Sequence, residues 1–371
     1  MMAGAVIALV WVNVDPPSYE RITHPLHFLI NDVAMAFFFG LAVKEIIEAT
    51  APGGALHSWR HAALPVVAAV GGMAGPALIY AGQALAFGRP DALRGWAIPC
   101  ATDIAFSYLV IRLIVRPTHP AVSFLLLLAI ADDALGLVLL AVFYPSADVQ
   151  PLHFVVLVGL SCVIAWQLRV RRTRSFWPYI LVAGTVSWAG FYIGGLHPAL
   201  ALVPVLPFVP RAERDAGLYV EGDATDALSR FQNWFSTPVE FVLFFFALAN
   251  AGVRVGSSGV VTWIVLVALV AGKPIGILAF TWLAERFGFR RAKGLVWRDV
   301  LVLGTLAGIG FTVALFFATA AFPAGGRVLD EVKMGALFSF VAAPIGVALS
   351  RIVRGRRPAP PPTAAAHSPR S

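Results

Sequence analysis

Charge is scarce in this chain. Of 371 residues, 13% are charged and 59% are hydrophobic. A soluble domain carries about 25% charged residues. So little polar surface cannot cover a soluble particle, and lipid must be the solvent for most of the molecule. Cysteine is nearly missing as well. Cys100 and Cys162 both lie in apolar segments, without metal-ligand spacing and too few for a disulfide framework. Both are expected to be small buried side chains. A cleavable signal peptide is not expected, because the first apolar run has no basic stretch before it and no obvious cleavage site after it.

The charge that remains is unevenly signed, with a formal net of +8. In a soluble protein that excess would suggest nucleic acid. Here the arginines sit in short loops between apolar runs, so orientation in a membrane explains them and nucleic acid is not expected as a partner. No cofactor is expected either.

Twelve apolar runs cover roughly 3–14, 26–47, 62–82, 96–115, 121–143, 152–168, 177–194, 197–210, 238–253, 260–283, 299–321 and 334–352. Most are long enough to cross about 30 Å of hydrocarbon as helices. The first is short for a span. The eighth is short too, and holds Pro198, Pro204, Pro207 and Pro210. If every run spans and the N-terminus is cytoplasmic, the basic clusters at 169–174, 286–298 and 351–357 all fall inside, as the positive-inside rule requires. The fold class read from this pattern is an all-α polytopic membrane protein of about 12 transmembrane helices, with both termini cytoplasmic. One transmembrane domain covers 1–352. Residues 211–237 read as a cytoplasmic linker, and the Pro- and Ala-rich tail 353–371 as disordered.

Ionisable groups deep in a membrane cost several kcal/mol and mark function. The most specific signal is Asp132–Asp133, with at least ten largely apolar residues on either side. Neighbours on a helix point about 100° apart, so both can face one cavity. Like charges this close resist joint ionisation. Protons and a hard cation then compete for the same oxygens, as a cation/proton exchanger needs. A helix-end pair bonded to backbone or lysine is the plainer alternative. Lys273 is the natural partner, since a lone buried ammonium must lose its proton or find a carboxylate. A Lys273–Asp132 pair leaves Asp133 to bind a cation. A purely structural bridge is equally consistent.

Asp103 follows Pro99 and Thr102 in a span poorly suited to a continuous helix. Gly304 to Gly310 is a similar weak point in a later span. Spans interrupted at corresponding places in two halves point to a transporter site. Asp103 is expected to compensate facing helix N-termini and Lys273 facing C-termini. Thr102 offers an oxygen to an ion, or bonds only its own helix. Three groups rank lower. Asp32 reads as a helix cap. Lys44 and Glu45 read as a funnel mouth or a plain helix end. His197 reads as a loop residue.

These motifs resemble the NhaA family of sodium/proton antiporters. The resemblance runs from about Leu29 to Arg351. It rests on Gly95-Trp-Ala-Ile-Pro-Cys-Ala-Thr-Asp-Ile-Ala-Phe106, Ala129-Ile-Ala-Asp-Asp133, Phe246-Ala-Leu-Ala-Asn-Ala-Gly-Val253, Gly272-Lys-Pro-Ile-Gly276 and Leu306-Ala-Gly-Ile-Gly-Phe-Thr312. It implies inverted-topology repeats, here about 62–144 and 260–352, with two crossing interrupted helices. It implies electrogenic exchange of outgoing Na⁺ or Li⁺ for two entering H⁺ across a bacterial inner membrane, serving sodium and pH homeostasis. Asp132 and Asp133 are then the transient Na⁺ and proton carriers, Lys273 pairs with Asp132, and Thr102 and Asp103 line or compensate the crossing. A homodimer in the lipid bilayer is the implied assembly. The chain departs from the family at Gly40-Leu-Ala-Val-Lys-Glu-Ile46, where acidic residues are linked to pH sensing, and at His197-Pro-Ala199. The segment after the first run leaves little room for the β-hairpin that supports dimers in some members.

Two other readings use the same residues. An intramembrane aspartyl protease would pair Asp103 with one of the adjacent aspartates. A Na⁺-coupled organic anion symporter would use Lys273 to meet the anion.

Overall fold

A computed structural model describes residues 1–211 and 226–354. Among these residues the secondary structure is helical, with no strand. Eleven of the twelve apolar runs coincide with helices. Five stretches are long and apolar enough to cross a membrane: Ala62–Ala86, Pro120–Phe143, Pro151–Val170, Val260–Arg286 and Arg327–Ile352. Counting each of three bent pairs as one span brings the number to eight. Met2–Val14 and Tyr179–Ile193 are shorter apolar helices. The chain is therefore a multi-pass membrane protein, though not all twelve runs are full-length straight spans.

The eighth run takes a form of its own. Hydrogen bonds between residues three apart run from His197 to Val209. Its prolines are spaced in multiples of three and lack the N–H that an α-helix would use. A three-residue turn rises about 2 Å per residue, so the stretch reaches about 25 Å. Such a backbone suits membrane depth only when protein surrounds it. Leu200, Ala201, Leu202, Val205 and Leu206 are buried, and Ser187 donates to the Ala201 carbonyl at 2.6 Å.

Three boundaries differ from the sequence reading. The linker expected over 211–237 is helical from Ala227 onward, as part of Ala227–Asn250; residues 212–225 lie outside the described residues. Asp226 caps that helix by accepting from Ser229 N at 2.5 Å, and Leu228, Phe231, Phe235 and Val239 form a buried stripe along it. The tail expected from 353 begins later, because Ala342–Arg354 is helical; residues 355–371 lie outside the described residues. Cys100 is buried as expected, but Cys162 is partly exposed.

Two pairs of half-helices meet at the centre. Pro90–Cys100 and Ile104–Ile114 bend by 52° at their break, and Trp297–Ala307 and Phe311–Ala321 by 49°. The breaks touch: Asp103 N donates to Ile309 O at 2.7 Å, and Ser107 Oγ to Leu306 O at 2.8 Å. A third bend, of 41°, separates Pro16–Thr23 from Phe28–Thr50.

Helix Trp59–Ala86 crosses Lys273–Arg286 at glycines. A Cβ on Gly71 would stand 2.4 Å from Gly276 O, and one on Gly75 2.5 Å from Gly272 O. Gly71 and Gly75 lie four apart, as do Gly272 and Gly276. Two small-residue faces thus bring backbones into contact, the packing that membrane helices use in place of a hydrophobic drive. The crossing positions Lys273. A widened π-turn, Ala268–Gly272, precedes Lys273 and Pro274. It gives room for a proline ring that would otherwise strike the carbonyl one turn back.

Candidate ion site

Asp132 and Asp133 lie at the middle of the 24-residue helix Pro120–Phe143. The approximately 100° between neighbouring positions gives them different surroundings. Asp132 turns toward Lys273: its Oδ2 lies 3.0 Å from Nζ. Both groups are buried, at 3% and 1% exposure. Lys273 Nζ also donates to Thr102 Oγ1, beside the first break. The second oxygen of Asp132, Oδ1, is buried and has no hydrogen-bond partner. An ion pair this dry is held only when its geometry is good, and it leaves one carboxylate oxygen free for another ligand.

Asp133 forms part of the wall of two cavities. The larger has a volume of about 390 Å³ and is also lined by Glu45, Asp103, Tyr108 and Thr312. The smaller, about 20 Å³, reaches Asp132, Cys100 and Gly136. A site of roughly 10–15 Å³ suffices for one water. The small cavity therefore holds about one water or one dehydrated cation. Phe38, Ala42, Thr102, Asp133 and Val313 line both cavities, so Asp133 stands between a wide space and a tight one.

Asp103 faces the starts of two half-helices. Its carboxylate accepts from Phe106 N at 3.4 Å, from Thr312 N at 3.2 Å, and from the Thr312 hydroxyl. An anion at the partial positive end of a helix is favourable, and here one anion serves two ends.

The lower-ranked residues fall elsewhere. Lys44 is buried, pairs with Glu48 at 2.7 Å and donates to Gln232. Glu45 faces the wide cavity. Asp32 does not begin a helix and is not a cap. It sits inside the π-turn Phe28–Ala34, where its backbone carbonyl accepts from Trp188 Nε1 at 2.8 Å. His197 lies in a loop, as expected, but a buried one: its ring lies 4.7 Å from that of Phe316, and its Nδ1 is 3.8 Å from Asp32 Oδ1. Proline at 198 stops an α-helix but not a buried three-residue turn, so the sequence shows the loop and not its burial.

Sequence reasoning missed two polar anchors. Asn31 and Asn250 exchange amide hydrogen bonds at 3.2 and 2.9 Å. Glu331 is fully buried and accepts from Val261 N at 3.0 Å, Arg89 at 3.2 Å and Arg327 at 3.0 Å. Asn250 lies in a motif quoted above, and Asn31 opens a looser match to the same family, Asn31-Asp-Val-Ala-Met-Ala-Phe-Phe38, so only their pairing was unreadable. Glu331 stands near a predicted helix end, where an acidic residue attracts no notice.

Residues 1–349 match the sequence model of the family described as Na⁺/H⁺ antiporter 1. The chain belongs to that family. It is similar to the protein named Na(+)/H(+) antiporter NhaA 2 of Pelobacter propionicus, with 45% identity over 368 residues and 96% of each chain covered. The Na(+)/H(+) antiporter NhaA of Geobacter metallireducens is 44% identical over 369 residues, again with 96% of each chain covered. That of Desulfitobacterium hafniense is 43% identical over 364 residues, covering 95% of this chain and 93% of the relative. The NhaA resemblance read from the motifs therefore holds along the whole chain. Members are named for sodium/proton exchange, which is transport and not enzymatic turnover.

Proposed function

We propose that this chain is an electrogenic exchanger that exports Na⁺ or Li⁺ and admits protons, two per cation, through Asp132 and Asp133. The observation that carries the reading is the place of Asp133, between a wide cavity and one the size of a single ion, beside the free oxygen of Asp132.

Charge balance supplies the mechanism. Asp132, Asp133 and Lys273 sum to one negative charge when all are ionised. A cation entering the small cavity meets Asp133 first, then the free Oδ1 of Asp132, with Thr102 close by. Drawn to both carboxylates, it competes with Lys273 for Asp132. An ammonium deprived of its carboxylate in a dry pocket is costly. Two protons, one for each carboxylate, displace the cation, and the Lys273–Asp132 pair re-forms once both protons have left. Proton and metal ion cannot share the same oxygens, and that exclusion couples the two flows. Asp103 keeps the facing half-helix starts neutral while the site changes its charge. Glu45 lines the wide cavity, and Lys44 beside it is held by Glu48 and Gln232.

The setting is a bacterial inner membrane, with both ends of the chain cytoplasmic, inverted repeats over about 62–144 and 260–352, and a homodimeric assembly. Neither alternative gains support. The protease reading needs a free Asp103, whose oxygens are engaged by Thr312 and Phe106. The symporter reading needs a free Lys273, whose ammonium is engaged by Asp132 and Thr102.

The test is Na⁺-driven proton movement in everted membrane vesicles. Asp132→Asn and Asp133→Asn should each abolish it. Normal exchange by both variants would remove the aspartates from the mechanism.

A further inference from the structure

A second large cavity, of about 580 Å³, lies away from the aspartates. Met1 lines the aspartate cavity and Val12 this one, a separation of about 16 Å along helix Met2–Val14. Lys333 lines it, on helix Arg327–Phe338, with only 7% exposure. Its ammonium makes no hydrogen bond or ion pair among the described residues. Asp330, one turn earlier on the same helix, also faces the cavity, and its carboxylate likewise has no hydrogen bond or ion pair. The two attract one another but form no close ion pair.

The wall also holds His24 and His27, whose rings lie 6.3 Å apart, and its other charged groups are paired. Arg254 stands 3.7 Å from Glu20, and Arg327 bonds the buried Glu331 at 3.0 Å. What remains uncommitted is one cation and one anion, fixed on one helix and open to a space large enough for a small molecule. A plain anion would satisfy Lys333 and be repelled by Asp330. A plain cation would do the reverse. A neutral cavity with two separated opposite charges suits a ligand that carries both.

We infer that this cavity binds a primary-amine zwitterion, its oxyanion on Lys333 and its ammonium on Asp330. The phosphoethanolamine headgroup of a membrane lipid has this chemistry, and so does a soluble molecule with the same two ends. An ammonium with three N–H donors matches a carboxylate, whereas a quaternary amine offers none. Lys333 presents a point charge suited to phosphate oxygens.

The test uses the purified full-length protein in detergent, with Tm as the readout. Mixed micelles carry increasing phosphatidylethanolamine, phosphatidylcholine or phosphatidylglycerol, and a separate arm adds soluble O-phosphoethanolamine. A saturable rise in Tm is expected with phosphatidylethanolamine, greater than with the other two lipids. Lys333→Met should weaken the apparent affinity by about tenfold or more, the loss of one charge-assisted bond. Asp330→Asn, at a half-buried position, should do the same and guards against misfolding of the first variant. A response to O-phosphoethanolamine as well identifies the headgroup alone as sufficient; a response to the lipid only shows that the acyl chains contribute. Either supports the site. Equal responses to phosphatidylethanolamine and phosphatidylglycerol, no response to any amine, or unchanged affinity in both variants would overturn it. None of these readouts depends on exchange at the aspartates.

Discussion

The two breaks at the centre of the molecule have nearly the same bend and opposite chemistry. The first, at Ala101–Asp103, is built from side chains: Thr102 accepts from Lys273, and Asp103 gathers donors from both half-helix starts. The second, at Gly308–Gly310, is built from what is missing. A Cβ on Gly308 would stand 2.7 Å from Leu269 O, and one on Gly304 2.7 Å from Pro274 Cα. Its polar contacts come from backbone: Ile309 O accepts from Asp103 N, and Gly310 N donates to Ser339 Oγ at 3.2 Å. The Lys273–Pro274 dipeptide reaches the first break through its ammonium and packs its proline on Gly304, one turn before the second. The difference teaches that one break is specified by charge and the other by space. Substitutions should therefore fail in different ways.

The largest effect is expected at the group that joins the two. Lys273→Met leaves Asp132 buried without its cation and should cost about 3–5 kcal/mol in unfolding stability. Adding Asp132→Asn should recover part of that loss, a non-additivity that a double-mutant thermal-melt series detects. Strict additivity would mean that the pair is not the link. Next comes Asp103→Ala. It leaves the donors of Phe106 and Thr312 facing one another without an acceptor and should cost about 3 kcal/mol. Asp103→Asn should cost less, because an amide oxygen still accepts. If Asp103→Asn melts with the unsubstituted protein, charge does not specify the first break.

The second break should answer to size alone. Gly308→Ala forces a methyl against the Leu269 carbonyl and should cost about 2 kcal/mol, with little change on titrating salt. A strong salt dependence in its Tm would erase the contrast with Asp103. The smallest effect is expected from Thr102→Val, which removes one acceptor from Lys273 while keeping its shape. About 1 kcal/mol is the ordinary worth of such a bond. A loss as large as that of Lys273→Met would show that the hydroxyl, and not Asp132, holds the ammonium.

Much of this arrangement was legible in the sequence because lipid penalises charge so heavily. Asp132, Asp133, Asp103 and Lys273 stood out as ionisable groups in apolar runs, and the structure gathers them around the two breaks. The breaks themselves showed as Pro99 and as the glycines from Gly304 to Gly310. What stayed hidden depended on partners. The glycines Gly71 and Gly75 carry no signal until the facing Gly272 and Gly276 are known. Asn31 carries no signal of its own until Asn250 meets it. The first turns of Ala227–Asn250 were read as linker because Arg230, Gln232 and Asn233 dilute the hydropathy. The cap at Asp226 and the apolar stripe behind it were the available clue. Asp32 reads as a cap because aspartate usually marks a helix start, whereas here it lies inside a widened turn, and the burial of the His197 loop leaves no mark in the sequence.

The glycine crossing bears on how anything here can move. Where backbones touch, no side chains are left to swing aside, and a slide of one helix along the other would drive carbonyl into Cα. Helices Trp59–Ala86 and Lys273–Arg286 are thus locked as one rigid strut. The ammonium of Lys273 travels only as far as its own four-carbon tether allows. Larger displacements must be taken up at seams lined by bulkier groups.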